Sequence, residues 1–343
     1  MVTIKDIAKA AGVSVTTVSR ALNGYDDVSE KTRAKIKKLA DEMMYRPNAV
    51  ARSLVSKRTR TIGVIMSEMN RTGSKDAFAF ELLCGINDRA SELDYEILLF
   101  STTPNKQRRK SYSDLCQERN VDGAILQGLR VKDPYLEEVL NQSRFPCVLI
   151  DIPLAGEWVG HVTSDNIDGA KQAVRHLAEL GHRRIAMING HQEAAVSKER
   201  FSGYVLALQE MNIPFDPALV YDGKFTEAGG AEAMERILDE HPDVTAVFSA
   251  SDLMVLGAMQ TLEKRGIALP GDISIVGYDD IEIASYCTPK LTTIRQEKYD
   301  LGYQAAQLVI DMLEGRKVAH KIVLNNRLVV RGSTAVPRER RRN

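Results

Sequence analysis

Two successive sets of short apolar runs, each run followed by a helical pattern, leave this chain few possible folds. Runs at 62–66, 96–100, 122–126 and 147–150 are interleaved with helical periodicity at 79–93 and from about 108. The rhythm restarts with 162–164 before a helix at 167–180, 184–188 before one from about 199, 244–248 before one from about 252, and 273–276. Apolar runs of this kind are strands buried on both faces, and strands alternating with helices fold as parallel sheets that those helices cover. Two sets predict two such sheets. Ligands of open parallel sheets bind beyond the carboxyl ends of the strands, so a cleft lined by strand-end loops is expected between the two.

The first sixty residues follow a different pattern. The chain has 46 Lys+Arg and 46 Asp+Glu, but 13 of the bases and only 6 of the acids lie in residues 1–60. A basic segment on an acidic body suits a polyanion, because neutralising phosphates releases condensed counterions; a merely solvated face would give the same charges. Thr3 with Asp6 opens a first helix whose stripe is Ile4, Ile7, Ala8 and Ala11, and Gly12 ends it. Ser14 caps a second helix, 15–22, with Val18, Ala21 and Leu22 on one face and Val15, Thr16, Ser19 and Arg20 left for another. A third runs from Ser29 through Ala34, Ile36, Leu39, Ala40 and Met43, and Pro47 blocks its continuation. The pattern fits a helix-turn-helix whose second helix enters the major groove, and it also fits a generic three-helix bundle. Asn48 then opens a helix at 49–55 too short to be stable alone in water; with Arg52 and Leu54 it suits insertion into a minor groove.

Three segments of the body fall at expected strand or helix ends: Ile150-Asp151, Gly277-Tyr278-Asp279-Asp280, and Ser197-Lys198-Glu199-Arg200 at the opening of a helix. A carboxylate and a guanidinium facing one cleft can each make two hydrogen bonds to neighbouring hydroxyls, the spacing a sugar ring offers. On these residues alone, a helix cap or a surface ion pair is the better explanation of Asp279 and Arg200.

The string Ile4-Lys5-Asp6-Ile7-Ala8, Gly12-Val13-Ser14, Thr17-Val18-Ser19-Arg20, Leu22-Asn23-Gly24, Val28-Ser29 and Tyr45-Arg46-Pro47-Asn48-Ala49-Val50-Ala51-Arg52-Ser53-Leu54 resembles the DNA-reading head of the lactose- and galactose-repressor (LacI-type) family of bacterial transcription regulators. The body resembles that family's ligand domain to about residue 335. The resemblance implies a helix-turn-helix head (1–47), a hinge helix and linker (48–60), and an α/β periplasmic-binding-protein-like core of two doubly wound parallel-sheet subdomains. One subdomain would comprise 61–161 and 292–324 and the other 162–291 and 325–336, with a basic tail at 337–343. It further implies a DNA face of Thr3, Ser14, Val15, Thr16, Thr17, Ser19, Arg20, Asn23, Asn48 and Ala51, with Val15, Thr16 and Arg20 at bases and Leu54 intercalated at the centre of a palindromic operator. In the cleft it implies that Arg200 and Asp279 hold the effector, joined by Asp151 and Gln296, with Phe78 and Phe225 in loops as stacking rings and Ser251 where Asn is common. Ala79, where an aromatic is frequent, and the insertion at 70–75 depart from the family's pattern.

Cys84, Cys116, Cys147 and Cys287 are widely spaced without metal-ligand motifs, the usage of a reducing compartment. The opening has no signal-peptide pattern and no apolar run reaches the roughly 18 residues of a membrane span, so a cytoplasmic protein without membrane contact is expected. Neither G-x-S-x-G, H-E-x-x-H, G-x-G-x-x-G nor a Walker loop occurs, and no enzyme activity and no cofactor are expected. The expected partners are double-stranded operator DNA, a small-molecule effector, a mono- or oligosaccharide, and a second copy of the chain. A nucleobase-responsive regulator and a stand-alone sugar-binding protein are the alternatives. Ile152 stands where base-responsive members of the family place Trp, which favours the sugar.

Overall fold

The computed structural model describes residues 2–22, 24–45, 58–67, 77–102, 110–130, 132–133, 135–136, 138, 145–154 and 156–338. The chain divides into two compact units, Met1–Thr59 and Arg60–Asn343.

In the first unit, helices α1 (Ile4–Ala11), α2 (Val15–Leu22) and α3 (Glu30–Glu42) enclose a small core of Ile7, Ala8, Ala11, Val18, Ala21, Val28, Ile36 and Ala40. The helix starts obey local chemistry. The Thr3 backbone N–H and hydroxyl both donate to the Asp6 carboxylate, at 2.8 and 2.7 Å. The Ser14 and Ser29 hydroxyls accept from the backbone N–H groups of Thr17 and Thr32, satisfying donors that the helix itself cannot. Gly12, at φ 70°, turns the chain sharply enough to lay α2 across α1. Ala34, expected in this core, is exposed, whereas Leu39 and Met43 pack against its edge.

The second unit contains two six-stranded sheets. The first joins β1 (Thr61–Ser67), β2 (Glu96–Thr102), β3 (Gly123–Gln127), β4 (Cys147–Ile150), β5 (Val159–Ser164) and β11 (Lys321–Leu324) in the order β11-β5-β4-β3-β1-β2, all parallel. Alternate residues bury on opposite faces. Ile62, Val64, Met66, Ile125, Val148 and Val162 meet helices α4 (Ala77–Glu92) and α10 (Lys298–Leu313), while Ile65, Leu126, Cys147 and Leu149 meet α5 (Tyr112–Glu118). The second sheet joins β6 (Ile185–Asn189), β7 (Val220–Asp222), β8 (Ala246–Ser249), β9 (Ser274–Asp279), β10 (Thr292–Arg295) and β12 (Arg327–Val329) in the order β12-β10-β9-β8-β6-β7. Only β12 is antiparallel, to β10. Helices α6 (Asn166–Glu179), α7 (Ala195–Glu210), α8 (Glu227–Glu240) and α9 (Asp252–Lys264) cover it.

The chain crosses between the sheets three times, and two crossings fall later than expected. Residues 162–164 finish β5, buried along its length and paired to β4 and β11, rather than starting the second sheet; the crossing lies between Ser164 and Asn166. Residues 292–295 belong to the second sheet, where they pair with β9, so the return comes between Arg295 and Lys298, not at 291. The third crossing lies between Leu324 and Arg327. Among the described residues no helix is long and apolar enough to cross a membrane.

Candidate functional site

The carboxyl ends of β4, β5, β9 and β10 and the first turns of α7 bring Asp151, Arg200, Asp279 and Gln296 into one polar cluster. Arg200 is only 4% exposed. Its Nε donates to Asn166 Oδ1 at 2.9 Å and its Nη1 donates to the Ala250 carbonyl at 2.6 Å; Nη1 also lies 3.6 Å from Asp279 Oδ1. The guanidinium sits 3.8 Å above the ring of buried Tyr278, which holds it flat by cation–π attraction. Gln296, equally buried, donates from Nε2 to Asp279 Oδ1 at 2.6 Å and accepts from the Ser164 hydroxyl. Asp279 is therefore approached by two donor side chains, one charged.

Asp151 enters from the end of β4 at φ 60° and accepts from the Thr163 hydroxyl at 2.7 Å. Desolvation raises its pKa above the ordinary carboxylate value, with the Thr163 hydrogen bond and the Arg200 charge pulling the other way. Glu199 shifts up for the same first reason, though it accepts from Asn166 Nδ2 at 2.9 Å. Beneath the cluster, Asp252 is fully buried; its carboxylate takes the Thr293 hydroxyl at 2.6 Å and the Ile281 N–H at 3.0 Å. Burial, then the neighbouring Asp279, drives its pKa well up. Side chains at the strand ends thus gather several carboxylates around one guanidinium in a poorly hydrated place, which favours a ligand that donates and accepts many hydrogen bonds.

The remaining expected cleft residues are Phe78, Phe225 and Ser251. Phe78 lies on α4, not in a loop, and packs half-buried against the core of the first sheet. Phe225, at φ 55°, stands edge-on to His191 with ring centroids 5.6 Å apart, and its ring occupies the space above Gly190 that any side chain there would need. The Ser251 hydroxyl accepts from the Met254 N–H and so caps α9. Asn166, Glu199, Thr163, Ser164 and Tyr278 belong to the cluster without having been singled out individually; Glu199 and Tyr278 lie in the flagged segments, whereas Asn166 carries no signal beyond following a capping Asp165.

In the head, Val15 and Thr16 are exposed at the start of α2. Ser14 and Thr17 share a hydroxyl contact at 2.8 Å, Ser19 is half-buried, and Thr3 is exposed beside Asp6. Arg20 is exposed near the end of α2, paired to Asp27. Asn23, Asn48, Ala51 and Leu54 lie outside the described residues.

A short helical head followed by a body of two sheets of mostly parallel strands, with a polar cluster at their strand ends, defines a helix-turn-helix protein carrying a ligand-domain fold. Residues 3–48 match the family model for bacterial regulatory proteins of the lacI family, and 174–334 match that for a periplasmic binding protein-like domain. The transcriptional regulator CelR of Thermobifida fusca is 37% identical over 334 residues, 96% of this chain and 98% of that protein. Among solved structures, a CelR–cellobiose complex superposes with a TM-score of 0.75 at 35% identity, covering 97% of this chain and 100% of that one. A lac repressor dimer bound to operator and the anti-inducer ONPF gives 0.82 at 29% identity, covering 97% and 99%. The chain belongs to the lacI family of bacterial transcription regulators.

Proposed function

We propose that this chain is a repressor that binds a roughly palindromic operator as a homodimer and that a sugar in the cleft sets its affinity for DNA. The observation that carries the reading is the facing of Arg200 and Asp279, 3.6 Å apart, with Gln296 and Asp151 beside them. A guanidinium offers paired donors and a carboxylate paired acceptors, so together they grip adjacent hydroxyls of a ring. Asp151 and Ser164 come from the first sheet and Arg200, Asp279 and Gln296 from the second. A ligand touching both sets favours whichever arrangement of the sheets brings them together, and it shifts operator affinity only through that preference. The CelR–cellobiose complex supports the sugar, and the lac repressor dimer on its operator supports the DNA partner and the assembly. Leu98 and Leu99 on edge strand β2 and Phe80 on α4 are exposed large apolar residues, of the kind a second copy covers.

The test is a thermal-shift screen of cellobiose, ribose, other mono- and disaccharides, nucleobases and nucleosides, since a ligand at 100 times its Kd adds about 2.7 kcal/mol. Each hit is then added to an operator-binding assay, with particle size measured in solution. A shift with sugars that also changes operator affinity is expected. Shifts confined to nucleobases or nucleosides would move the reading to a base-responsive regulator, and a sugar shift without a DNA response to a binding protein. A monomer that occupies DNA as a single copy would remove the dimer.

A further inference from the structure

Strand β9 ends in a bend that residues with side chains avoid, φ 107° at Asp279 followed by φ 50° at Asp280. Something must hold it. Lys298, the first residue of α10 and 4% exposed, places its ammonium between the two main-chain carbonyls, donating to Asp279 O at 2.8 Å and Asp280 O at 2.9 Å. The same nitrogen lies 3.2 Å from Glu81 Oε1 on α4. An ammonium has three hydrogens, and here it has three acceptors. The Asp280 carboxylate is anchored separately, by Arg295 at 2.5 Å and Arg331 at 2.7 Å, so the bend is pinned through both its side chain and its carbonyls.

Two of the three acceptors lie at the end of the second sheet, whereas α10 and α4 pack on each other and on the first. We propose that Lys298 is a positioning residue for the Asp279 carboxylate, and that its contact with Glu81 carries occupancy of the cleft to α4. The inference rests on the reading of Asp279 as a ligand-gripping residue. Holding both carbonyls keeps Asp279 in a conformation that aims its side chain at Arg200, and relaxation of the bend swings that carboxylate away. A compact ammonium suits this work, because one nitrogen must reach three oxygens in different directions.

The experiment uses the full chain with Lys298→Met and Glu81→Gln, each with and without Asp279→Asn. Hydrogen exchange of the amides at 278–284 needs no ligand: Lys298→Met raises it tenfold or more while 166–179 keep wild-type rates, and unchanged exchange overturns the proposal. The binding probe is cellobiose, or the compound of the screen that gives the largest thermal shift. Lys298→Met weakens it tenfold or more in the wild-type background but less than twofold beside Asp279→Asn, because the loss runs through that carboxylate; equal losses in both backgrounds overturn the positioning role. Glu81 is partly exposed, and Glu81→Gln keeps probe affinity within twofold while cutting the probe-induced change in operator affinity at least fivefold. An undiminished change overturns the link to α4. Should Lys298→Met not fold, Lys298→Arg replaces it with the same expectations, since a planar fork cannot put one atom between both carbonyls. If Asp279→Asn alone leaves binding intact, the reading of the cleft fails, and the exchange rates still decide the part played by Lys298.

Discussion

Arg20 meets Asp27 edge to edge: Nε donates to Oδ1 at 2.9 Å and the second guanidinium nitrogen lies 2.6 Å from Oδ2, with the group 5.1 Å from the centre of the Tyr25 ring. The pair is about half exposed, so it adds little stability, but it fixes the plane of the guanidinium that the head would present to a base. Arg20→Ala should cost about 1–3 kcal/mol on the operator and relax preference at one position per half-site. Asp27→Ala keeps the cation, frees its orientation and removes a negative charge near phosphates, so non-specific binding should rise as discrimination falls. Lys37→Ala, at an exposed position on α3, should do neither. Competition binding on operator variants checks this. Equal weakening on every sequence would make Arg20 a phosphate contact.

Arg200→Ala and Asp279→Asn should each weaken the ligand tenfold or more, because each leaves a polar group of the bound ligand unpaired, at about 1–3 kcal/mol and more where charge assists. Operator affinity without ligand should stay near wild type while its response to ligand disappears. Operator titrations with and without the sugar from the screen measure both. A wild-type response in both variants would place the pocket elsewhere, and loss of operator binding in folded protein would give these residues a purely structural role.

Much of the body was legible because strands buried on both faces read as unbroken apolar runs; β1, β3, β4, β6, β8 and β9 stand where such runs stand. The short strands β7, β11 and β12 each include an exposed residue and have no long buried run, and the two late crossings followed from starting the second rhythm at 162–164 and from grouping 292–324 with the first subdomain on the family resemblance, where strand pairing decides otherwise. In the cluster, polar residues at expected strand and helix ends drew attention to Asp151, Arg200 and Asp279 from pattern alone, whereas Gln296 came through the family resemblance. Lys298 was invisible. Its main partners are main-chain carbonyls, which no side-chain pattern reports.

Helices α4 and α10 approach so closely that their backbones touch through glycines. A Cβ on Gly302 would lie 2.0 Å from the Leu82 carbonyl oxygen, and one on Gly85 would lie 2.0 Å from that of Tyr299. Neither neighbour can move without shifting a helix. Gly302→Ala gains up to about 1 kcal/mol of helix propensity but should still destabilise by about 1–3 kcal/mol through overpacking. Chemical unfolding of the variant beside wild type measures it; an unchanged or raised midpoint would show that the helices part without cost.

Acid should weaken the fold through His161 in particular. This residue lies on β5, 3% exposed, with no hydrogen-bond partner at Nε2 among the described residues and with Lys321 opposite it on β11. Desolvation first, and the Lys321 charge second, lower its pKa to about 4. In the unfolded chain the imidazole titrates near its ordinary value of about 6.5, so between those two pH values the unfolded state binds more protons than the folded one. Stability is then fully present above about pH 6.5 and falls as pH drops toward 4, by about 2 kcal/mol at pH 5 for this one group. Burial lowers His176 and His182 as well, adding slope of the same sign, while the raised pKa values of Asp151, Glu199 and Asp252 act in the opposite direction. All of those groups remain in His161→Gln, so the difference between wild type and variant isolates His161. Urea unfolding of both at pH 7.5 and pH 5 should show the variant losing less stability than wild type across the interval, by about 1–2 kcal/mol. Equal losses would mean that His161 is protonated in the folded protein at pH 5, with water or a displaced Lys321 relieving the charge.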